Sequence, residues 1–162
     1  MSTTVAVALG SNLGNRRAHL AYAVSRLVSV LQDARVSQFI ETAPVGVPGE
    51  QPPFLNGAVV GETTLSPRPL LDRLLAIEAE RGRVRPFAGA ARTLDLDLVL
   101  FGDRVIEEPG LIVPHPRFRV RAFVLEPLAA IASDLVDPVT GKTVGDLASS
   151  LARAAQTTNP SG

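Results

Sequence analysis

Asp95 and Asp97 are separated by one residue in the run Arg92-Thr93-Leu94-Asp95-Leu96-Asp97-Leu98-Val99-Leu100-Phe101. Strict alternation over such a run predicts a β-strand, whose successive side chains point to opposite faces. Leu94, Leu96, Leu98 and Leu100 are then expected on one face, and Asp95 and Asp97 on the other. Along a strand the two carboxylates stand roughly 6.5–7 Å apart, so one hard cation or a pair of them can bridge the site. Aspartate is depleted in strands, and two on one face repel unless something positive lies between. Arg81, Arg83, Arg85 and Arg92 precede the strand, and Arg117, Arg119 and Arg121 follow it. Guanidinium groups bind phosphate in a bidentate fork. An acidic pair able to hold metal, set among arginines, is equipment for phosphoryl transfer from a nucleotide. Taken alone, the pair also suits an edge strand that exposes both carboxylates to water. That reading accommodates the charges but leaves the gathered arginines unexplained.

Composition narrows the classes. The chain has 162 residues, 46% of them hydrophobic and 20% charged, which suits a single domain with a real core. Its 16 basic and 16 acidic residues cancel, so long nucleic acid is not the expected partner. The absence of cysteine excludes a disulfide framework and a thiolate zinc site. No run of 18 apolar residues occurs, and Met1-Ser2-Thr3-Thr4 leads directly into a strand pattern, so neither a membrane span nor a signal peptide is expected. A cytoplasmic protein is the expectation.

The elements that must carry the aspartates can be read in order. Residues 4–9 predict a buried strand ended by Gly10-Ser11-Asn12, followed by a helix over about 13–31. That turn weakly resembles a phosphate loop but lacks a Gly-Lys-Ser/Thr ending, and a helix cap by Ser11 or Asn12 is the stronger reading. Residues 34–41 predict a second strand, and the Pro/Gly-rich stretch 42–53 a loop long enough to be functional. Residues 54–62 return as a strand carrying Asn56, whose amide either reads a heteroaromatic edge or satisfies neighbouring backbone. Ser66-Pro67 opens a helix running to about Glu80, with Ser66 as cap. Glu78 falls near the end of that helix, where the dipole disfavours negative charge, so a reason beyond solubility is expected.

After the acidic strand, Gly102-Asp103 predicts a turn and 104–107 a short return strand. Val113-Pro114-His115-Pro116 reads as extended, 121–132 as a third helix and 144–154 as a short fourth. Residues 1–155 read as one domain, with 156–162 as a disordered tail. The β-α-β-β-α-β order predicts an α+β, ferredoxin-like antiparallel sheet with both long helices on one face, plus a small hairpin and helices at the C-terminal end. The second face would then be free, and the aspartates are expected on it.

Five blocks now stand in order: Ala8-Leu9-Gly10-Ser11-Asn12-Leu13-Gly14, Gln51-Pro52-Pro53-Phe54-Leu55-Asn56, Gly82-Arg83-Val84-Arg85, Arg92-Thr93-Leu94-Asp95-Leu96-Asp97, and Val113-Pro114-His115-Pro116 with Arg121-Ala122-Phe123. Together they resemble the 6-hydroxymethyl-7,8-dihydropterin pyrophosphokinase family over about residues 5–146. The resemblance implies a magnesium-dependent transferase of folate biosynthesis that moves pyrophosphate from ATP to the hydroxymethyl group of a reduced pterin, releasing AMP. It implies that Asp95 and Asp97 hold two Mg²⁺ ions and that Arg83 and Arg92 stabilise the transferring group. Glu78, Arg85, His115, Arg121 and the backbone near Leu98 would bind ATP. Thr42, Ala43, Val45, Phe54, Asn56 and Phe123 would form the pterin pocket. A monomer with no nucleic-acid or membrane partner is expected. The family commonly carries a tryptophan in the loop before the acidic strand, where this chain has Phe87, and Phe54 replaces a frequent tyrosine. A ligand-binding module of the same fold would not need the acidic pair. A two-metal phosphodiesterase or nucleotidyltransferase would act without a pterin.

Overall fold

The computed structural model describes residues 1–42, 53–82 and 93–157, with side chains through 155. Its sheet is built from β1 (Thr3–Ser11), β2 (Gln32–Val36), β3 (Ile40–Thr42), β4 (Phe54–Thr63) and β5 (Asp95–Phe101). The strand order is β2-β4-β1-β5, with β3 also paired to β4, and every pairing is antiparallel. Helices α1 (Arg16–Val30) and α2 (Pro67–Glu80) connect strands in the ferredoxin-like manner. A hairpin of β6 (Ile106–Glu108) and β7 (Leu111–Val113), a 3-10 turn (Phe118–Val120), α3 (Ala122–Ala132) and α4 (Val144–Thr157) complete the chain.

Alternation along the strands feeds two cores. On the first face Val5, Val7, Leu9, Val59, Leu96 and Leu98 pack against Leu20 and Leu27 of α1 and Leu70, Leu74 and Ile77 of α2. Each such leucine is worth about 2–5 kcal/mol against truncation to alanine. On the second face Ala6, Ala8, Ala58, Val60 and Leu100 pack against Phe118, Leu125, Leu128 and Val144. The small alanines let α3 approach the strands closely. The second face is therefore half covered by α3 and α4, rather than free as the helix count suggested.

Several boundaries differ from the sequence reading for identifiable reasons. β1 does not end at Gly10 but pairs on both sides through it. Helix α1 starts at Arg16 because Asn15 caps it, its side chain accepting the Ala18 N–H at 3.1 Å. The expected strand 34–41 divides into β2 and β3 where Phe39 turns inward; a Cβ on Gly57 would meet its ring at 2.8 Å. The expected return strand pairs with β7 instead of β5.

Leu100 is the largest correction. Val7 faces Leu98 but Ala6 faces Leu100, so Val99 is an extra residue that bulges β5. Leu100 thereby turns to the second core while Leu94, Leu96 and Leu98 remain in the first.

Candidate active site

The register of three strands sets the site. Gly10 of β1 pairs with Asn56 of β4 on one side and Asp95 of β5 on the other. The next row is Ala58, Ala8 and Asp97. Asn56 and Asp95 are thus separated by two strand spacings, roughly 10 Å. They share the second face with Phe54 and Asp97, because each lies an even number of residues from Ala58 or on the face opposite Leu96.

Gly10 forms the floor between them. A Cβ there would stand 3.0 Å from Asn56 Oδ1 and 3.6 Å from the Phe54 ring, so the missing side chain leaves bare backbone for a flat group to rest on. The sequence reading took Gly10 for a turn residue. The available signal was a glycine continuing an apolar strand, which marks close approach to backbone.

Asn56 is 4% exposed and donates through Nδ2 to the Thr42 hydroxyl at 2.5 Å. Its partner is therefore a side chain across the sheet rather than neighbouring backbone. Thr42 itself pairs with Phe54 in the β3–β4 ladder.

Among the described residues, Glu78 and the His115 N–H hydrogen-bond to the outer edge of β5, where another strand would pair. Glu78, 2% exposed, accepts the Leu96 N–H at 2.7 Å. This contact supplies the reason anticipated for a carboxylate at the wrong end of α2, since it anchors the strand between Asp95 and Asp97. Farther along, the bulged Val99 offers its carbonyl to the His115 N–H at 2.9 Å. The bulge thus docks the segment after β7 beside the carboxylates. Leu98 turns its side chain into the first core, leaving only its backbone toward the edge.

His115 is half-buried, and burial is the main influence that lowers its pKa; Arg121 lowers it further, Asp95 opposes, and Arg117 adds to the lowering. Arg121 and Asp95 each lie within electrostatic reach of His115. Nδ1 accepts the Arg117 N–H at 3.2 Å, which assigns the neutral ring a proton on Nε2, a donor suited to a phosphate oxygen. Arg121 precedes α3 and holds its guanidinium 5.5 Å from the centre of the Phe123 ring. Phe123 is half-buried against the second core.

The stretch that presents these groups is fixed by an ion pair. Arg119 donates to Asp137 through Nε at 2.5 Å and Nη2 at 2.9 Å, and Asp137 is fully buried. Thr140 Oγ1 and the Val139 N–H also donate to that carboxylate, at 2.7 and 3.0 Å. Burial alone would raise the Asp137 pKa, but the bonds from Arg119, Thr140 and Val139 outweigh it and hold the group at about 2. Local sequence does not reveal this role for Asp137, because its partner is 18 positions away.

Asp95 and Asp97 are both half-buried oxygen donors. Among the described residues they belong to no cluster of three or more His, Cys, Asp or Glu. A two-carboxylate set fits Mg²⁺, which fills its remaining positions with phosphate oxygens and water. Arg83, Arg85, Arg92, Ala43 and Val45 lie outside the described residues.

A family model for 7,8-dihydro-6-hydroxymethylpterin-pyrophosphokinase (HPPK) matches residues 6–133. The chain belongs to the HPPK family. It is 44% identical over 140 residues to a 2-amino-4-hydroxy-6-hydroxymethyldihydropteridine pyrophosphokinase of Synechocystis sp., covering 85% of this chain and 71% of that one. It is also 44% identical over 137 residues to the corresponding protein of Pseudomonas aeruginosa, covering 83% and 84%. Among solved structures it resembles wild-type Plasmodium falciparum HPPK-DHPS with pteroate, at a TM-score of 0.77 and 13% identity. That match spans 98% of this chain but 46% of the other, and it establishes the HPPK fold alone. All five sequence blocks begin between residues 8 and 113, inside the HPPK match.

Proposed function

We propose that this chain transfers the pyrophosphoryl group of ATP to the hydroxymethyl group of 6-hydroxymethyl-7,8-dihydropterin, as a step of folate biosynthesis. The observation that carries the reading is the Asn56–Gly10–Asp95 row. It puts a group able to read a heterocycle's edge and a pair of carboxylates at the same end of one sheet face.

In this reading the pterin lies over Gly10, with Asn56 and Thr42 at its edge and Phe54 and Phe123 supplying aromatic faces, together with Ala43 and Val45. Its hydroxymethyl oxygen attacks the β-phosphorus of ATP in line. An O–P bond forms, the bond from that phosphorus to the α,β-bridging oxygen breaks, AMP leaves and the hydroxyl proton passes to solvent. Asp95 and Asp97 would hold two Mg²⁺ ions, which neutralise phosphate charge and polarise the phosphoryl group when bound.

His115, through its Nε2–H, and Arg121 bind ATP phosphates, with Arg85 and the Leu98 backbone beside them. Arg83 and Arg92 stabilise charge on the group in flight. Glu78 supports the nucleotide by fixing β5. Among the described residues no helix is long and apolar enough to cross a membrane. A cytoplasmic monomer acting without nucleic acid belongs to the same proposal.

The test is AMP release from ATP and Mg²⁺, with and without the pterin. AMP that appears only with pterin, matched one-to-one by pterin diphosphate, is the expected result. ADP as product would move the attack to the γ-phosphorus, and no pterin-dependent product would reduce the likeness to one of fold.

A further inference from the structure

Arg16 is the first residue of α1, a position where the helix dipole disfavours positive charge, and no acidic residue shares that turn. Its contacts supply a reason for its being there. Nη1 donates to the Pro53 carbonyl at 2.8 Å and stands 3.5 Å from Glu41 Oε1. Glu41 immediately precedes Thr42, and Pro53 immediately precedes Phe54. Thr42 and Phe54 are the terminal pair of the β3–β4 ladder.

One guanidinium from the helix on the first face therefore ties together the two strands at the pair that lines the second. The tie matters because, among the described residues, β3 has only three residues and pairs with β4 alone. So short a one-sided strand contributes little stability of its own. Besides its three register pairs, the Asn56–Thr42 bond and Arg16 hold it to β4.

We infer that Arg16 is a positioning residue for the pterin wall formed by Thr42, Phe54 and Asn56, acting on these side chains without touching the substrate. The inference rests on the proposed function for the identity of the substrate. The clamp itself is a statement about the ligand-free protein.

The experiment pairs steady-state kinetics with amide hydrogen exchange for wild type, Arg16→Ala and Arg16→Lys. Arg16→Ala should raise the KM for pterin about five-fold, the equivalent of one hydrogen bond, and leave the KM for ATP within about two-fold. Exchange should quicken in segments 40–42 and 54–56 but not in 118–137. Arg16→Lys, which still donates to the Pro53 carbonyl, should recover part of both effects. An equal rise in both KM values, or an unchanged pterin KM, overturns the positioning role. Unchanged exchange overturns the clamp. Should wild type make no pterin diphosphate, the functional reading falls, while exchange still decides whether Arg16 ties the strands.

Discussion

Two arginines of similar exposure brace the two sides of the candidate site, and their carboxylate partners sit in opposite environments. On the proposed phosphate side Arg119 grips a fully buried Asp137 with two hydrogen bonds, beside a fully buried Phe118. On the proposed pterin side Arg16 holds a backbone carbonyl and an exposed carboxylate, with side-chain exposures of 28% and 56% across the ion pair. A buried, bidentate, charge-assisted pair resists opening, whereas an exposed pair is worth at most about 1 kcal/mol. The wall proposed to face phosphate is thus firmly held, and the wall proposed to face the pterin is held by contacts of marginal strength. In the proposed function, rigidity falls to the segment that faces a highly charged nucleotide and adaptability to the one that faces a flat, nearly neutral ring.

Removing the centre that both walls share sets the scale. Asp97→Ala is expected to lower turnover by at least about 10³-fold, since it removes charge organisation at the reacting group. The fold should persist, because Asp97 is half-buried and lies on the face opposite the Leu96 and Leu98 core. AMP formation and a thermal melt check both halves. Near-normal turnover at ordinary Mg²⁺ would remove the carboxylate pair from the mechanism.

Gly10→Ala should produce the next largest effect and divide the walls. The added Cβ would press on Asn56 Oδ1 at 3.0 Å and touch the Phe54 ring at 3.6 Å. We expect a rise of about ten-fold in the pterin KM, or roughly 1.4 kcal/mol, with a smaller change for ATP. Equal changes for both substrates would place Gly10 under the phosphates instead.

How much of this was legible in the sequence depends on how local each determinant is. The Asp95/Asp97 alternation, the Ser66-Pro67 helix start and the strand of Asn56 all appear where neighbouring residues predict them. The Val99 bulge does not, because it exists only in the register between β5 and β1. Nor could spacing give Glu78 its partner, an amide 18 residues away on another element. The charge sign was the readable clue: Glu78 at a helix C-terminus and Arg16 at an N-terminus each oppose the dipole. Both prove to hold strands that carry site residues.

Asp137→Asn tests the rigid wall. The carboxyl sits at about 2 against an ordinary 3.8. Its stabilisation is therefore complete above the ordinary value and is lost as pH falls through about 2. That shift corresponds to about 2 kcal/mol of folding stability at neutral pH. The variant should lose a similar amount at pH 7, and the difference from wild type should shrink toward pH 2. Because the Arg119 tether orients His115 and Arg121, the KM for ATP should rise by about three- to five-fold and exceed any change for pterin. A stability loss with both KM values intact would make the pair a purely structural one.

Glu41→Gln should have the smallest effect, and it asks which half of the Arg16 clamp carries the load. The substitution removes the ion pair and leaves the 2.8 Å bond to the Pro53 carbonyl. With the carboxylate more than half exposed, solvent screens most of the attraction. We expect a pterin KM within about two-fold of wild type, insensitive to added salt, against the larger shift of Arg16→Ala. If Glu41→Gln instead matched Arg16→Ala, and half-molar salt reproduced the loss in wild type, the ion pair would be the operative contact. The pterin wall would then be electrostatically held after all, and the contrast with the Arg119–Asp137 wall would reduce to burial alone.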